Sequence, residues 1–169
     1  MRWNSCDSFA RNVPTDEPSP GSVRGCQLSR EGIVTEPDSD KADALFDEWT
    51  CEGKQLIAPA FFAVETDSIL RQKVALRKEL TPEQAKAAFA KLQTLPIQQI
   101  AVVRQRQRAW EMATDYDFVT VYDATYLALA ELRGCEFWTA DERLFNRVKD
   151  TLTFVKWLRN YIPKTTSPF

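Results

Sequence analysis

Glu65, Asp123 and Asp141 are the residues of this chain whose type and surroundings could do chemistry. Glu65 stands in the largely apolar run LIAPAFFAVETDSIL. The two aspartates lie within VYDATYLALAELRGCEFWTADERLF, the most apolar and most strongly patterned stretch of the sequence. Acids that converge at one partly buried spot repel one another and resist ionisation unless a cation neutralises them. A hard divalent ion, Mg²⁺ or Mn²⁺, is the natural partner for such oxygen ligands. It also activates water and stabilises displacement at phosphorus.

Composition narrows the alternatives. The 169 residues include no histidine, which excludes a Ser-His-Asp triad, a Cys-His nucleophile pair and any histidine-ligated metal. Cys6, Cys26, Cys51 and Cys135 are widely spread without a C-x-x-C pair, and read as reduced thiols rather than a zinc site or a disulfide framework. With 22 basic and 24 acidic residues the formal charge is -2, so any nucleic-acid site must be a local patch. No apolar signal segment and no membrane-spanning run is present, and a cytoplasmic location is expected.

The length and the 44% hydrophobic content suit one domain with one core. Residues 1–35, punctuated by Pro14, Pro18, Pro20, Gly21, Gly25 and Gly32 without sustained periodicity, read as a disordered or non-native leader to a domain spanning 36–169. Within that domain the pattern predicts a helix from Ser39 to Cys51, the strand QLIAP, and a long helix over about 60–78. A further helix comes next, N-capped by Thr81 with Pro82 at its first position. Then come the strand PIQQIAV, the mixed-polarity helix VRQRQRAWEMATDY, the apolar helix TVYDATYLALAELRG, the strand CEFWT and the short helix ADERLFNRV. FVKWL reads as either a strand or a helix. Short strands alternating with helices predict α/β layers around a mostly parallel sheet.

This order must position the acids. In a right-handed β-α-β unit, a helix N-terminus and the carboxyl ends of the strands share one edge of the sheet. The helix after Asp123 runs about 18 Å down, and CEFWT climbs about 16 Å back, which returns Asp141 to the level of Asp123. Glu65, in the second turn of the predicted helix after QLIAP, belongs to the same edge, where open α/β sheets bind ligands. Each acid also has a structural reading: Asp123 complements a helix dipole, Asp141 caps the next helix, and Glu65 is a rim residue.

These residues resemble the PIN-domain ribonucleases, and within them the VapC-like toxins of bacterial toxin-antitoxin pairs. VYDATYLALAELRGCEFWTADERL is similar to the family's Y-D-A-x-Y-L-A-L-A segment followed by T-x-D, and LIAPAFFAVETDSILRQKV to its strand and acidic helix. The resemblance covers about residues 36–160. It implies a three-layer α/β/α fold with a short, mostly parallel central sheet, and a Mg²⁺- or Mn²⁺-dependent endoribonuclease that hydrolyses RNA phosphodiester bonds. It also implies a homodimer held in check by a cognate antitoxin. Glu65, Asp123 and Asp141 match three of the family's four metal-holding acids, and Thr139 matches the hydroxyl residue of T-x-D that supports them.

The fourth acid, at the end of an apolar first strand, has no counterpart in SVRGCQLSREGIVTEP. Codons permitted for Ser22 through Glu31, shifted by one nucleotide, read P-C-V-D-A-N-F-R-V-K. The leader is therefore expected to be out of frame with the codons from Glu36 onward, and the gene's nucleotide sequence tests this. Arg71, Arg104, Arg106 and Arg108 are the candidate RNA contacts, while Trp110 and Tyr116 read as core residues before base-stacking ones. Asp67, Asp115 and Asp117 read as solvent-exposed. Two other readings stay open: a non-catalytic PIN-like remnant that binds antitoxin or RNA, and an unrelated α/β ligand-binding protein whose acids are helix caps.

Overall fold

The computed structural model describes residues 26–28 and 39–163. Five parallel strands, β1 (Cys26–Leu28), β2 (Leu56–Pro59), β3 (Ile97–Ile100), β4 (Glu136–Thr139) and β5 (Val155–Trp157), form one sheet in the order β3-β2-β1-β4-β5. The helices are α1 (Ser39–Cys51), α2 (Phe62–Ala75), α3 (Pro82–Thr94), α4 (Gln105–Asp115), α5 (Tyr122–Arg133) and α6 (Glu142–Val148), with a 3₁₀ turn over Leu158–Asn160.

Strand periodicity divides the core between the two faces of the sheet. Ile57 of β2 and Phe137 of β4 join the larger core with Met112 of α4, Leu127 and Leu129 of α5 and Val148 of α6. Their neighbours Leu56 and Trp138 turn to the opposite face, to Ala42, Leu45 and Trp49 of α1 and to Leu158 and Tyr161. The result is the expected three-layer α/β/α arrangement. Helix α3 starts as predicted: Thr81 Oγ1 accepts from Gln84 N at 3.2 Å, and Gln84 Oε1 accepts in return from Thr81 N at 2.8 Å, closing a capping box.

Within residues 1–35, read as a disordered or non-native leader, Cys26–Leu28 form β1 and occupy the centre of the sheet. Cys26 pairs with Leu56 on one side, and Cys26, Gln27 and Leu28 pair with Glu136, Phe137 and Trp138 on the other. Ladder hydrogen bonds on both sides satisfy the backbone whatever the side-chain pattern, so three residues, too few to show a period in the sequence, can serve as a central strand. Apart from these three positions the leader and its proposed change of frame lie outside the described residues.

The strand order matters for the site. From β1 the chain builds outward through β2 to β3, then crosses back to add β4 and β5 on the other side of β1. The reversal falls between β1 and β4, and open α/β sheets bind ligands outside the carboxyl ends of the strands at such a point. Among the described residues no helix is long and apolar enough to cross a membrane.

Candidate active site at the carboxyl edge of the sheet

Strand β4 ends on Thr139, which is fully buried, and Asp141 stands two positions further on. Thr139 Oγ1 accepts a hydrogen bond from Asp141 N at 3.0 Å, fixing the turn between strand and helix. Asp141 is the N-cap of α6: its Oδ1 accepts from Arg143 N at 2.8 Å and from Leu144 N at 3.0 Å. The structural reading of Asp141 therefore holds, yet it does not exhaust the residue. Both cap bonds fall on Oδ1, so Oδ2 is not needed for the cap and the carboxylate is held in one orientation with a second oxygen to offer.

Asp123 is the second residue of α5 and half-buried, in the turn where the helix dipole favours negative charge. Below it on the same face, Tyr126, Leu127 and Ala130 are buried, as the i+3, i+4 and i+7 spacing predicts. Glu65 lies in the first turn of α2, not the second, because the helix begins at Phe62. That brings it closer to the carboxyl end of β2 than the sequence reading implied.

A residue that sequence reasoning treated only as packing joins two of these acids. Tyr126, 3% exposed, donates its hydroxyl hydrogen to Glu65 Oε2 at 2.7 Å. Its ring is held edge-on by Phe61 at a centroid distance of 5.8 Å and flanked by Phe137 at 6.2 Å. Tyr126 stands one helical turn from Asp123, so α5 carries one acid and orients another on α2. The signal was present in the Y-D-A-x-Y spacing, but its partner lies 61 residues away in the chain.

The donor chemistry of Glu65, Asp123 and Asp141 suits a hard divalent cation, since all three offer carboxylate oxygens at one edge. The spacing does not close a complete centre: among the described residues there is no group of three or more Asp, Glu, Cys or His able to hold a metal ion. Strand β1, at the point where the order reverses, contributes Cys26, Gln27 and Leu28 and no carboxylate.

The basic candidates separate. Arg108 donates from Nη2 to Glu131 Oε1 at 2.9 Å and from Nε to Oε2, and approaches Glu111 at 3.4 Å. The hydrogen bonds to Glu131 hold its proton more tightly than usual. Arg108 thereby joins α4 to α5. Arg71 lies apart, in a cleft between α2 and α3. Arg104 and Arg106 are exposed and share a groove with Trp110, which is 70% exposed. The reading of Trp110 as a core residue is thus overturned, because α4 turns Ala109, Met112 and Ala113 inward instead. Tyr116, by contrast, packs against the core as expected.

Comparison with known proteins agrees with this architecture. No curated protein matches the chain. The family model described as the PIN domain matches residues 33–150, more than half of the sequence. PIN domains are generally nucleases and typically use divalent metal ions. With strand order, layer arrangement and family model in accord, this chain belongs to the PIN domain family.

Proposed function

We propose that this protein is a Mg²⁺- or Mn²⁺-dependent endoribonuclease, the toxin of a toxin-antitoxin pair, with Glu65, Asp123 and Asp141 as the ligands of its ion. The observation that carries the reading is the hydrogen bond from Tyr126 of α5 to Glu65 of α2, which joins the two helices whose first turns carry half-buried Glu65 and Asp123; half-buried Asp141 follows β4 at the same carboxyl edge of the sheet. Bound by these carboxylates, such an ion would supply charge neutralisation at phosphate and activation of water. The chain's own residues orient the ligands: Tyr126 fixes Glu65, and the cap bonds and Thr139 fix Asp141. Without histidine the protein has no side chain whose ordinary pKa lies near neutrality, which argues against metal-free acid-base cleavage.

Single-stranded RNA as substrate is supported by the exposed Trp110 and the two arginines beside it. A protein partner, antitoxin or second copy, is supported by α3, which has no buried residue, and by its cleft against α2, of about 410 Å³, where Leu70, Val74 and Phe89 meet. The second reading, a non-catalytic remnant that binds antitoxin or RNA, draws support from β1, which bears no acid. Cleavage of single-stranded RNA by the full chain separates them. The expected result is internal cleavage on addition of Mn²⁺ or Mg²⁺, stopped by EDTA and restored by excess metal; intact RNA at every metal concentration would favour the remnant.

A further inference from the structure

A groove of about 1000 Å³ runs beside the candidate active site, between the end of β2, the start of α4 and the N-terminus of α5. Its walls include Phe61, Arg104, Arg106, Trp110, Val121 and Thr125. Two of these residues tie it to the acids. Phe61 immediately precedes α2, four residues before Glu65, and packs edge-on against both Tyr122 and Tyr126. Val121 is the N-cap of α5, two residues before Asp123. Groove and acidic edge therefore share the N-termini of the same two helices.

The lining is apolar and aromatic with a cationic rim. It includes two arginines and no carboxylate, and neither arginine takes part in an ion pair among the described residues. The floor is firm: Gln105, 6% exposed, accepts from Val102 N at 3.1 Å and donates to Thr125 O at 3.2 Å, joining the start of α4 to α5. Arg104 is held at φ 68°, a left-handed conformation unfavourable for a residue with a Cβ. An exposed indole next to two guanidinium groups suits a base that stacks and a phosphate that pairs. A second copy of this chain fits less well, since two-fold pairing across the groove would set arginine rims of like charge together.

We infer that this groove is a nucleotide subsite for single-stranded RNA, where a base flanking the scissile bond stacks on Trp110 and its backbone phosphates pair with Arg104 and Arg106. The inference rests on the nuclease reading only for the identity of the strand. It explains why the alternating arginines of RQRQR divide: Arg108 braces the helices, whereas Arg104 and Arg106 face the ligand.

The test is fluorescence anisotropy with a fluorescein-labelled single-stranded RNA of about ten mixed-sequence nucleotides, the scale of one such binding site. EDTA is present throughout, so that binding is read without cleavage. Trp110→Ala weakens binding about tenfold, the loss of one stacked base, and Trp110→Phe restores most of it. Replacing Arg104 and Arg106 with Gln lowers the salt dependence of log Kd by about 1.4, two phosphate contacts. Arg108→Gln lowers the melting temperature and leaves affinity unchanged. Unaltered RNA affinity in Trp110→Ala overturns the proposal. If that variant also turns a dimer into a monomer in sedimentation, the groove belongs to a second copy. If labelled oligoglutamate binds in a Trp110-dependent way while RNA does not, it belongs to an acidic protein partner. Trp110-dependent affinity without Mn²⁺-dependent cleavage keeps the subsite and removes the nuclease reading, and cleavage with Trp110-independent affinity does the reverse.

Discussion

Asp123→Asn leaves the protein folded and slows Mn²⁺-dependent RNA cleavage by about a thousandfold, the scale of the several kcal/mol that a bound cation contributes to a phosphoryl transition state. Asparagine keeps the shape and one carbonyl oxygen but loses the charge that holds a hard cation. The residue is half-buried in the first turn of α5, ahead of a helix body buried all round at Tyr126, Leu127, Ala128, Leu129 and Ala130, and none of that packing changes. The helix dipole's share of the structural cost is about 0.3–1 kcal/mol, or about 1–4 °C in melting temperature. Initial cleavage rates alongside thermal unfolding by circular dichroism separate the two effects. A comparable loss of fold and activity would mean that Asp123 serves the helix and not an ion.

Phe137→Ala has the largest expected effect on stability. The ring is 1% exposed at the middle of the sheet, in the larger core, and lies 6.2 Å from the ring of Tyr126. Truncating a buried phenylalanine costs about 3–5 kcal/mol. That is a large share of the roughly 5–15 kcal/mol by which a domain is stable. At about 2–4 °C per kcal/mol for a chain of this size, the melting temperature falls by roughly 6–20 °C. The site suffers as well, because Phe137 forms one wall of the pocket that aims the Tyr126 hydroxyl at Glu65. Trp110→Ala provides the contrast: truncation of a side chain that is 70% exposed shifts stability by about 0.5 kcal/mol or less. Urea unfolding of both variants checks the pair.

The features legible in the residues were those that depend on local pattern. Helix α5 and strand β4 arise from the periodicity of TVYDATYLALAELRG and CEFWT. Helix α3 was marked by Thr81 and Pro82, and α1 by its Ala42, Leu45 and Trp49 stripe. The features that escaped were set by distant partners. Strand β1 has only three residues, and its place comes from pairing with Leu56 on one side and Glu136 to Trp138 on the other. The Tyr126 to Glu65 bond joins α5 to α2, and the exposure of Trp110 depends on which face of α4 meets α5. Arg104, Arg106 and Arg108 are alike in sequence and differ only because Glu131 and Glu111 stand within reach of the third.

The most direct test of the central claim is a calorimetric titration of Mn²⁺ into the full chain and its Glu65→Gln, Asp123→Asn and Asp141→Asn variants. Asparagine still caps a helix, so α6 survives the last substitution. The account predicts one Mn²⁺ site in the parent protein, weakened at least tenfold in each variant, more than or equal to the loss of an outer-shell support. Binding that is undetectable in the parent, or equal in all four proteins, would contradict a metal centre built from these three acids.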